Sequence, residues 1–416
     1  MTAPFFFHGL LLLVGLCCPL PITKTSYLYE ELYEDPSIDH FQCRKVVLTI
    51  CNVSITLFKE MAQRSGNGNI LFSPIRVIAA LSMLSLGAKG NLSKHILEAL
   101  RLNKTGLPEA EIHKCFRYLL RALHKPEEFS PLKSGSSVFI HQGLTPENKF
   151  VEGVKDLYHS DVISINFTDS SRAKTQINNY MMEKSKKEIG DIVKNLESDT
   201  FLAVVNYIIL NAKIISNYGC RFLKVKDYHL GYGMATKVPT IHTVDLNHLF
   251  RVEDLSSTVL VYSLLAGSFT TYFILPDIGK MKKVEQRLTY PHFRRMRRQL
   301  SLRMVDLETP ELSLSETHDL ESVMSLLGIT YAFNGVTNSD SSSVMNDTLP
   351  KSLKVISKAM LTHEDKWSKP GKSICFKNDG SVDVGHVQFN RPFLIFIQDT
   401  KNDAPLFLGR VVNPKN

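Results

Sequence analysis

The side chains that do chemistry are scattered through this 416-residue chain rather than gathered into a working set. His159, His229, His242 and His248 stand apart in sequence, with no His-Glu-x-x-His pair to hold zinc on one helix face. An isolated imidazole is as a rule a surface or satisfied core residue. There is no Cys-x-x-Cys pair, no Gly-x-Ser-x-Gly elbow for a nucleophilic serine, and no phosphate-cradling Gly loop followed by Lys. Catalysis by metal, nucleotide or activated serine has no anchor. The chain is expected not to be an enzyme and to need no cofactor or metal.

A different chemistry has residues to carry it. Between Lys280 and Arg303 stand nine basic residues and one acidic residue, a local charge of +8 that equals the net charge of the whole chain. Pro291 suits the start of a helix, and from there Arg294, Arg295, Arg297 and Arg298 follow, with 294, 297 and 298 on neighbouring points of one face. A solvated helix face is the plain reading. The concentration of charge favours a sulfated glycosaminoglycan such as heparin, or an anionic cell surface.

Export makes nucleic acid an implausible partner. Phe5 to Cys18 is an apolar run placed as the h-region of a secretory signal and too short to span a bilayer, which needs about 20 residues. Residues 1–18 are read as a signal peptide and 19–40 as an extended, acidic arm. The remainder, 41–416, is expected to be one secreted domain. With 44% hydrophobic and 22% charged residues it has an ordinary globular composition, which excludes disorder, collagen and a polytopic membrane protein. Export also gives meaning to the Asn-x-Ser/Thr sites at Asn52, Asn91, Asn103, Asn166 and Asn346. Asn103, before the turn Gly106-Leu107-Pro108, is the best placed; Asn166, in strand-like sequence, is expected to be half buried. Outside the signal segment, Cys43, Cys51, Cys115, Cys220 and Cys375 make an odd set, so at least one thiol is free or pairs between molecules.

The elements that position these residues follow from periodicity. Val46 to Ala62 carries one apolar helix face, and Val77 to Leu86 is apolar nearly all round, as a buried helix is. Leu107 to Leu123, Glu147 to Tyr158 and Ser171 to Val193 also read as helical. Strands are expected at Asn69 to Pro74, ended by its Ser-Pro step, and at Phe201 to Leu210, Val259 to Leu275 around Gly267, Phe389 to Ile397 and Pro405 to Val412. Helices first and strands later indicate an α+β fold.

Seven segments in order, Asn69-Ile-Leu-Phe-Ser-Pro74, Met83-Leu-Ser-Leu-Gly87, Val205-Asn-Tyr-Ile208, Phe273-Ile-Leu-Pro-Asp277, Leu327-Gly-Ile-Thr330, Phe389-Asn-Arg-Pro-Phe393 and Pro405-Leu-Phe-Leu-Gly-Arg-Val-Val-Asn-Pro414, give the chain its resemblance. Over residues 41–416 it resembles the serpin family, most closely the α1-antitrypsin group. The resemblance implies three β-sheets with eight to nine helices and an exposed reactive loop at about 366–386. It implies a serine protease as partner and inhibition by loop cleavage followed by insertion of the loop as a new central strand. The basic helix resembles the heparin site of the protein C inhibitor type.

Insertion makes demands that this loop does not meet. Trp367 stands where the family hinge has Gly, and Ser368, Pro370 and Lys372 fall on positions facing inward after insertion. Pro370 has no N–H to give to the ladder, and Lys372 would carry an ammonium into the interior. Among the positions that let the sheet open, Asn206 is retained. Ser357 replaces a His, Arg76 replaces a Ser and Ile214 replaces a Trp. In gapless register the bait bond is Ser381-Val382, in a polar stretch. Impaired or lost inhibition is therefore expected, with a working inhibitor and a carrier of a small apolar ligand as the alternatives. A monomer is expected, with Cys375 in the loop a candidate for an intermolecular disulfide.

Overall fold

The computed structural model describes residues 40–88, 91–123, 130–213, 221–231, 233–264, 267–329, 352–364 and 384–415. The expected signal segment and arm lie outside these, apart from His40. So do Ile214, Cys220, Asn346 and the loop residues Trp367, Ser368, Pro370, Lys372, Cys375, Ser381 and Val382.

Nine α-helices occur among the described residues: α1 (His40–Arg64), α2 (Pro74–Met83), α3 (Asn91–Ala99), α4 (Glu109–Ala122), α5 (Asn148–Tyr158), α6 (Ser170–Lys184), α7 (Met281–Arg287), α8 (Tyr290–Arg298) and α9 (Glu321–Leu326). The early strands are β1 (Ile70–Phe72), β2 (Leu132–His141), β3 (Asp161–Ile165) and β4 (Thr200–Lys213). They are followed by β5 (Arg221–Gly231), β6 (Met234–Val252), β7 (Ser257–Leu264), β8 (Phe269–Pro276), β9 (Leu302–Pro310) and β10 (Leu312–Asp319). The last four are β11 (Ser352–Glu364), β12 (Gly385–Gln388), β13 (Phe393–Asp399) and β14 (Pro405–Val411).

Two hydrogen-bonded arrays result. One is five-stranded, in the order β10-β11-β4-β2-β3; the other is nine-stranded, β1-β14-β13-β8-β7-β6-β9-β12 with β5 also on β6. The long β6 pairs with β5 and β9 along its first part and with β7 over His248–Val252. The larger array is thus two sheets sharing one strand, which with the five-stranded sheet makes the three expected of this α+β fold.

Helix α1 buries the stripe the spacing selects, Val46, Ile50, Val53 and Leu57, each nearly or fully removed from water. By length and composition it would suit a membrane, but most of its apolar window is buried inside the protein. Helix α2 is buried along all ten residues and packs on β4 and β11 of one array and β14 of the other. An apolar surface all round is what such a position requires.

Two elements depart from their expected bounds. The helix over 171–193 stops at Lys184 because Lys186 and Lys187 take positive φ, 57° and 65°. Ile189, Ile192 and Val193 still enter the core, on non-helical backbone held by Asn178, whose Oδ1 accepts from the amides of Ile192 and Val193 at 3.1 and 2.9 Å. Apolar spacing alone does not register that change of backbone. Likewise the strand expected from Phe389 begins at Phe393, because the Asn390-Arg391-Pro392 step intervenes and Pro392 has no N–H for a ladder.

Cys43 of α1 is bonded to Cys115 of α4, and Cys51 is a buried thiol. The bond spans a sequence separation of 72 residues, so chain-entropy reasoning assigns it roughly 4 kcal/mol. The double substitution Cys43→Ser, Cys115→Ser is expected to lower the unfolding free energy by about 2–4 kcal/mol in a denaturant titration. An unchanged midpoint with an unchanged slope would remove the disulfide from the stability account.

Candidate functional site

The place where a new strand would enter is the junction of β4 with β11. These strands are parallel neighbours paired from Thr200 and Ser352 to Lys213 and Glu364. Along β4 the side chains alternate between faces. Ala203, Val205, Tyr207 and Ile209 join Ile177 and Met181 of α6 in one apolar layer. Asn206 and Ile208 turn to the opposite face, over α2.

Polar rungs hold the junction shut. Ser357 Oγ of β11 donates to Asn206 Oδ1 of β4 at 2.8 Å, with both residues buried, and Thr362 Oγ1 donates to Asn211 Oδ1 at 2.8 Å nearer the end of the ladder. At the foot of β11, Lys354 is buried yet surrounded by Glu197, Asp319 and Glu321 at 3.1, 3.2 and 3.4 Å. Burial opposes its charge, but the carboxylates outweigh it and hold its pKa well above the usual lysine value. The other face is laced as well: Tyr207 donates to the Lys184 carbonyl at 2.9 Å, and its ring lies where any Cβ on Gly135 would stand, 2.8 Å away. Gly135 is therefore a glycine because of the ring across from it.

Arg76 is the unusual member. It lies on the first turn of α2, only 3% exposed, and its Nη2 donates to Ser134 Oγ of β2. Burial pushes its pKa down to about 10, which leaves it a cation at neutral pH. Among the described residues no carboxylate pairs with it. Its Nε, the Ser73 hydroxyl and the Asn206 Nδ2 are buried without a hydrogen-bond partner.

Beyond the loop, β12 returns to the sheet beside β9, from Gly385 opposite Val305 to Gln388 opposite Glu308. Asp306 there holds two imidazoles, His242 Nε2 at 2.6 Å and His386 Nδ1 at 3.2 Å. Read singly, His242 had no partner in view; sequence offers no signal for a trio whose members come from three strands. Lys354 and its carboxylates likewise come from separate segments, which sequence does not bring together.

The basic cluster folds as expected, with Pro291 in the first turn of α8. All four arginines are exposed, but Arg295 binds Asp254 at 2.6 Å and Arg297 binds Asp403 at 2.5 Å. Arg294 and Arg298 have no such partner among the described residues. The one acidic residue of the segment, Glu285, is buried against Arg410 at 2.7 Å and offsets none of the surface charge. Of the glycosylation candidates, Asn52, Asn91, Asn103 and Asn166 are all exposed, Asn166 among them rather than half buried. Its side chain instead accepts from the Thr168 amide and hydroxyl in a local turn. At Asn52 the sequon hydroxyl, Ser54 Oγ, is buried in α1 and bonded to the Ile50 carbonyl.

Removing the Ser357 hydroxyl tests the central rung. Ser357→Ala leaves a buried amide oxygen without a donor and is expected to cost about 1–3 kcal/mol in denaturant unfolding. Stability within a few tenths of the parent would show that the Ser357 to Asn206 bond does not hold the strands together.

Residues 49–414 match the family model of Serpin (serine protease inhibitor). Over 416 residues the chain is 75% identical to Alpha-1-antitrypsin 1-6 of Mus musculus, covering 100% of both chains. It is 36% identical over 414 residues to the Alpha-1-antitrypsin-related protein of Homo sapiens, covering 98% of each. Among solved structures, human thyroxine-binding globulin complexed with thyroxine is similar at a TM-score of 0.79 and 28% identity, over 90% of this chain and 100% of that one. A sheet closed at β4 and β11, a strand resuming at Gly385 and these full-length likenesses agree: the chain belongs to the serpins, the serine protease inhibitor family, within the α1-antitrypsin-like group.

Proposed function

We propose that this serpin is secreted and glycosylated, and that it meets serine proteases as a substrate rather than as a lasting trap. The observation that carries the reading is the segment Trp367 to Lys372, set against the junction it would have to enter. To insert, the cleaved loop must part the β4 to β11 ladder together with the Ser357 to Asn206 and Thr362 to Asn211 rungs. The entering strand then offers Pro370, which takes a hydrogen bond out of a central ladder at a cost of about 3 kcal/mol if helix-interior values are a guide. Lys372, two residues on, turns to the same side and carries a second cation toward the buried layer that already holds Arg76. An unpaired buried ammonium costs several kcal/mol or gives up its proton. A hinge beginning with Trp367 adds bulk where free rotation is needed.

Cleavage between 377 and 386 is therefore expected to leave the melting temperature within a few degrees of the intact form. Incubation with a panel of serine proteases should yield clipped protein and no adduct stable to denaturing electrophoresis. The triple substitution Trp367→Gly, Pro370→Ala, Lys372→Ala should move the protein toward insertion. A clipped parent that melts tens of degrees higher, or a covalent complex, would establish a working inhibitor instead.

The surface of α8 supports an anionic polysaccharide as a second partner. Arg294 and Arg298 are exposed and unspent, and the exposed Lys282, Lys283 and Arg287 of α7 extend the same charge. Contacts of this kind release counterions and are salt-dependent. Arg294→Glu with Arg298→Glu should lower the salt at which the protein leaves a heparin column. Reversal of Arg295 and Arg297 as well should abolish retention, while also breaking the bonds to Asp254 and Asp403. Elution at unchanged salt would refute the site.

The carrier alternative draws on the likeness to thyroxine-binding globulin. A surface cleft of about 500 Å³ beside α5 has a mixed lining, Leu86, Ala88, Phe150 and Leu157 together with Arg117, Glu147, Lys149, Glu152 and Asp156. Its charged rim suits an amphipathic ligand better than a purely apolar one. A ligand co-purifying from native fluid would favour the carrier over the substrate reading.

A further inference from the structure

Three buried cations can be compared side by side. Lys354 is 5% exposed and has three carboxylates; Arg410 is 4% exposed and has Glu285 together with the Gly66 and Gly68 carbonyls. Arg76, 3% exposed, has one neutral hydroxyl, that of Ser134. A guanidinium removed from water without a counter-charge costs several kcal/mol, so the absence of an acidic residue here is a physical question.

The atoms left over around Arg76 can all donate a hydrogen bond. Its Nε and the Asn206 Nδ2 can only donate, and the Ser73 hydroxyl can. Ser73 is the N-cap of α2, but its side chain makes no cap hydrogen bond, and Pro74 follows it. The Val77 amide reaches the Ser73 carbonyl at 2.9 Å, as the first intrahelical bond. The amides of Ile75 and Arg76, just before Val77, have no acceptor within the helix. The helix is buried from its first residue, so water does not reach that end freely. Every unmet group can donate, the Ser73 hydroxyl being able to accept as well, and the helix N-terminus adds partial positive charge to a full one.

Sheet register places these donors together. Ser134 lies opposite Ile208, and Ser136 lies opposite Asn206, in the β2 to β4 ladder. Residues opposite or two apart share a face, at roughly 5–8 Å. The guanidinium bonded to Ser134 is therefore within a side chain's reach of the Asn206 amide. Ser73 is three residues before Arg76, on the same side of the first turn. What the cluster lacks is an acceptor carrying negative charge, small enough for a closed layer.

We propose that the layer between the start of α2 and the five-stranded sheet binds one small inorganic anion of chloride size, held by the Arg76 guanidinium, the Ser73 hydroxyl and the Asn206 amide. The anion supplies the missing counter-charge. Because Asn206 is also the rung to Ser357, its occupancy stiffens the junction of β4 and β11. A water molecule is the competing occupant, but it brings two hydrogens of its own into a cluster already short of acceptors.

The test uses the full chain in chloride-free buffer, titrated with sodium chloride against sodium gluconate at constant ionic strength. The melting temperature should rise with chloride by about 2 °C or more at saturation, following binding to the folded state alone. Crystals soaked in sodium bromide should show an anomalous peak within hydrogen-bond distance of Arg76 Nε, a measurement that needs no variant. Arg76→Met should remove both the chloride dependence and the peak. A chloride effect undiminished in Arg76→Met, or a site that holds only water in the bromide-soaked parent, overturns the proposal.

Discussion

Everything in the central sheet depends on two parallel strands, β4 and β11, being each other's neighbours without a strand between them. Parallel partners cannot come from a tight hairpin; each arrives through a long connection, so their pairing rests on side chains and ladder bonds rather than on a turn. Lys354 fastens the foot of β11, Ser357 and Asn206 tie the middle, and Thr362 with Asn211 tie the upper part. The layer beneath, around α2, is a place where a substitution can alter the junction without touching either strand. Arg76 does this by putting a cation where the layer has no acid.

Charge in this molecule divides by location. On α8 it faces solvent, where ion pairs to Asp254 and Asp403 contribute little to stability and unspent arginines remain open to a ligand. Beneath the sheet, the same residue type dominates its surroundings because no water screens it. Without a bound anion, a guanidinium in that position makes the floor of the sheet electropositive. An entering strand that brings Lys372 adds to that field, whereas one that brought a small neutral side chain would not.

Much of the frame was legible from residue spacing. The buried α2 was visible because Val77 to Leu86 has no polar face, and Pro291 marked the start of α8. Illegible were features set by distant partners. The pairing of Cys43 with Cys115 rather than Cys51 requires α1 and α4 to lie side by side, which periodicity does not state. The end of α6 is decided by Asn178 capturing the amides of Ile192 and Val193, not by a proline or glycine at the break. His242, Asp306 and His386 meet only because β6, β9 and β12 are adjacent. Arg76 was legible as a departure from the family, yet its burial without a counter-ion was not.

The departures from the family pattern fall into two mechanical groups. Strands β13 and β14 are buried at every position, so a change there opens a cavity in the state the protein occupies at all times. Phe393, which opens β13, and the segment Pro405-Leu-Phe-Leu-Gly-Arg410 keep the family pattern under that constraint. Trp367, Pro370 and Lys372 meet their steric and electrostatic conflicts only after the loop enters the sheet. A native fold can carry such residues at no cost to itself, because their penalty belongs to a state it need not reach. Ser357 and Arg76 differ: they sit inside the native sheet and its floor, and each has had to be accommodated there, Ser357 by its bond to Asn206 and Arg76 by its bond to Ser134. The closed sheet thus carries its own fastenings at both positions, in the state the native protein occupies.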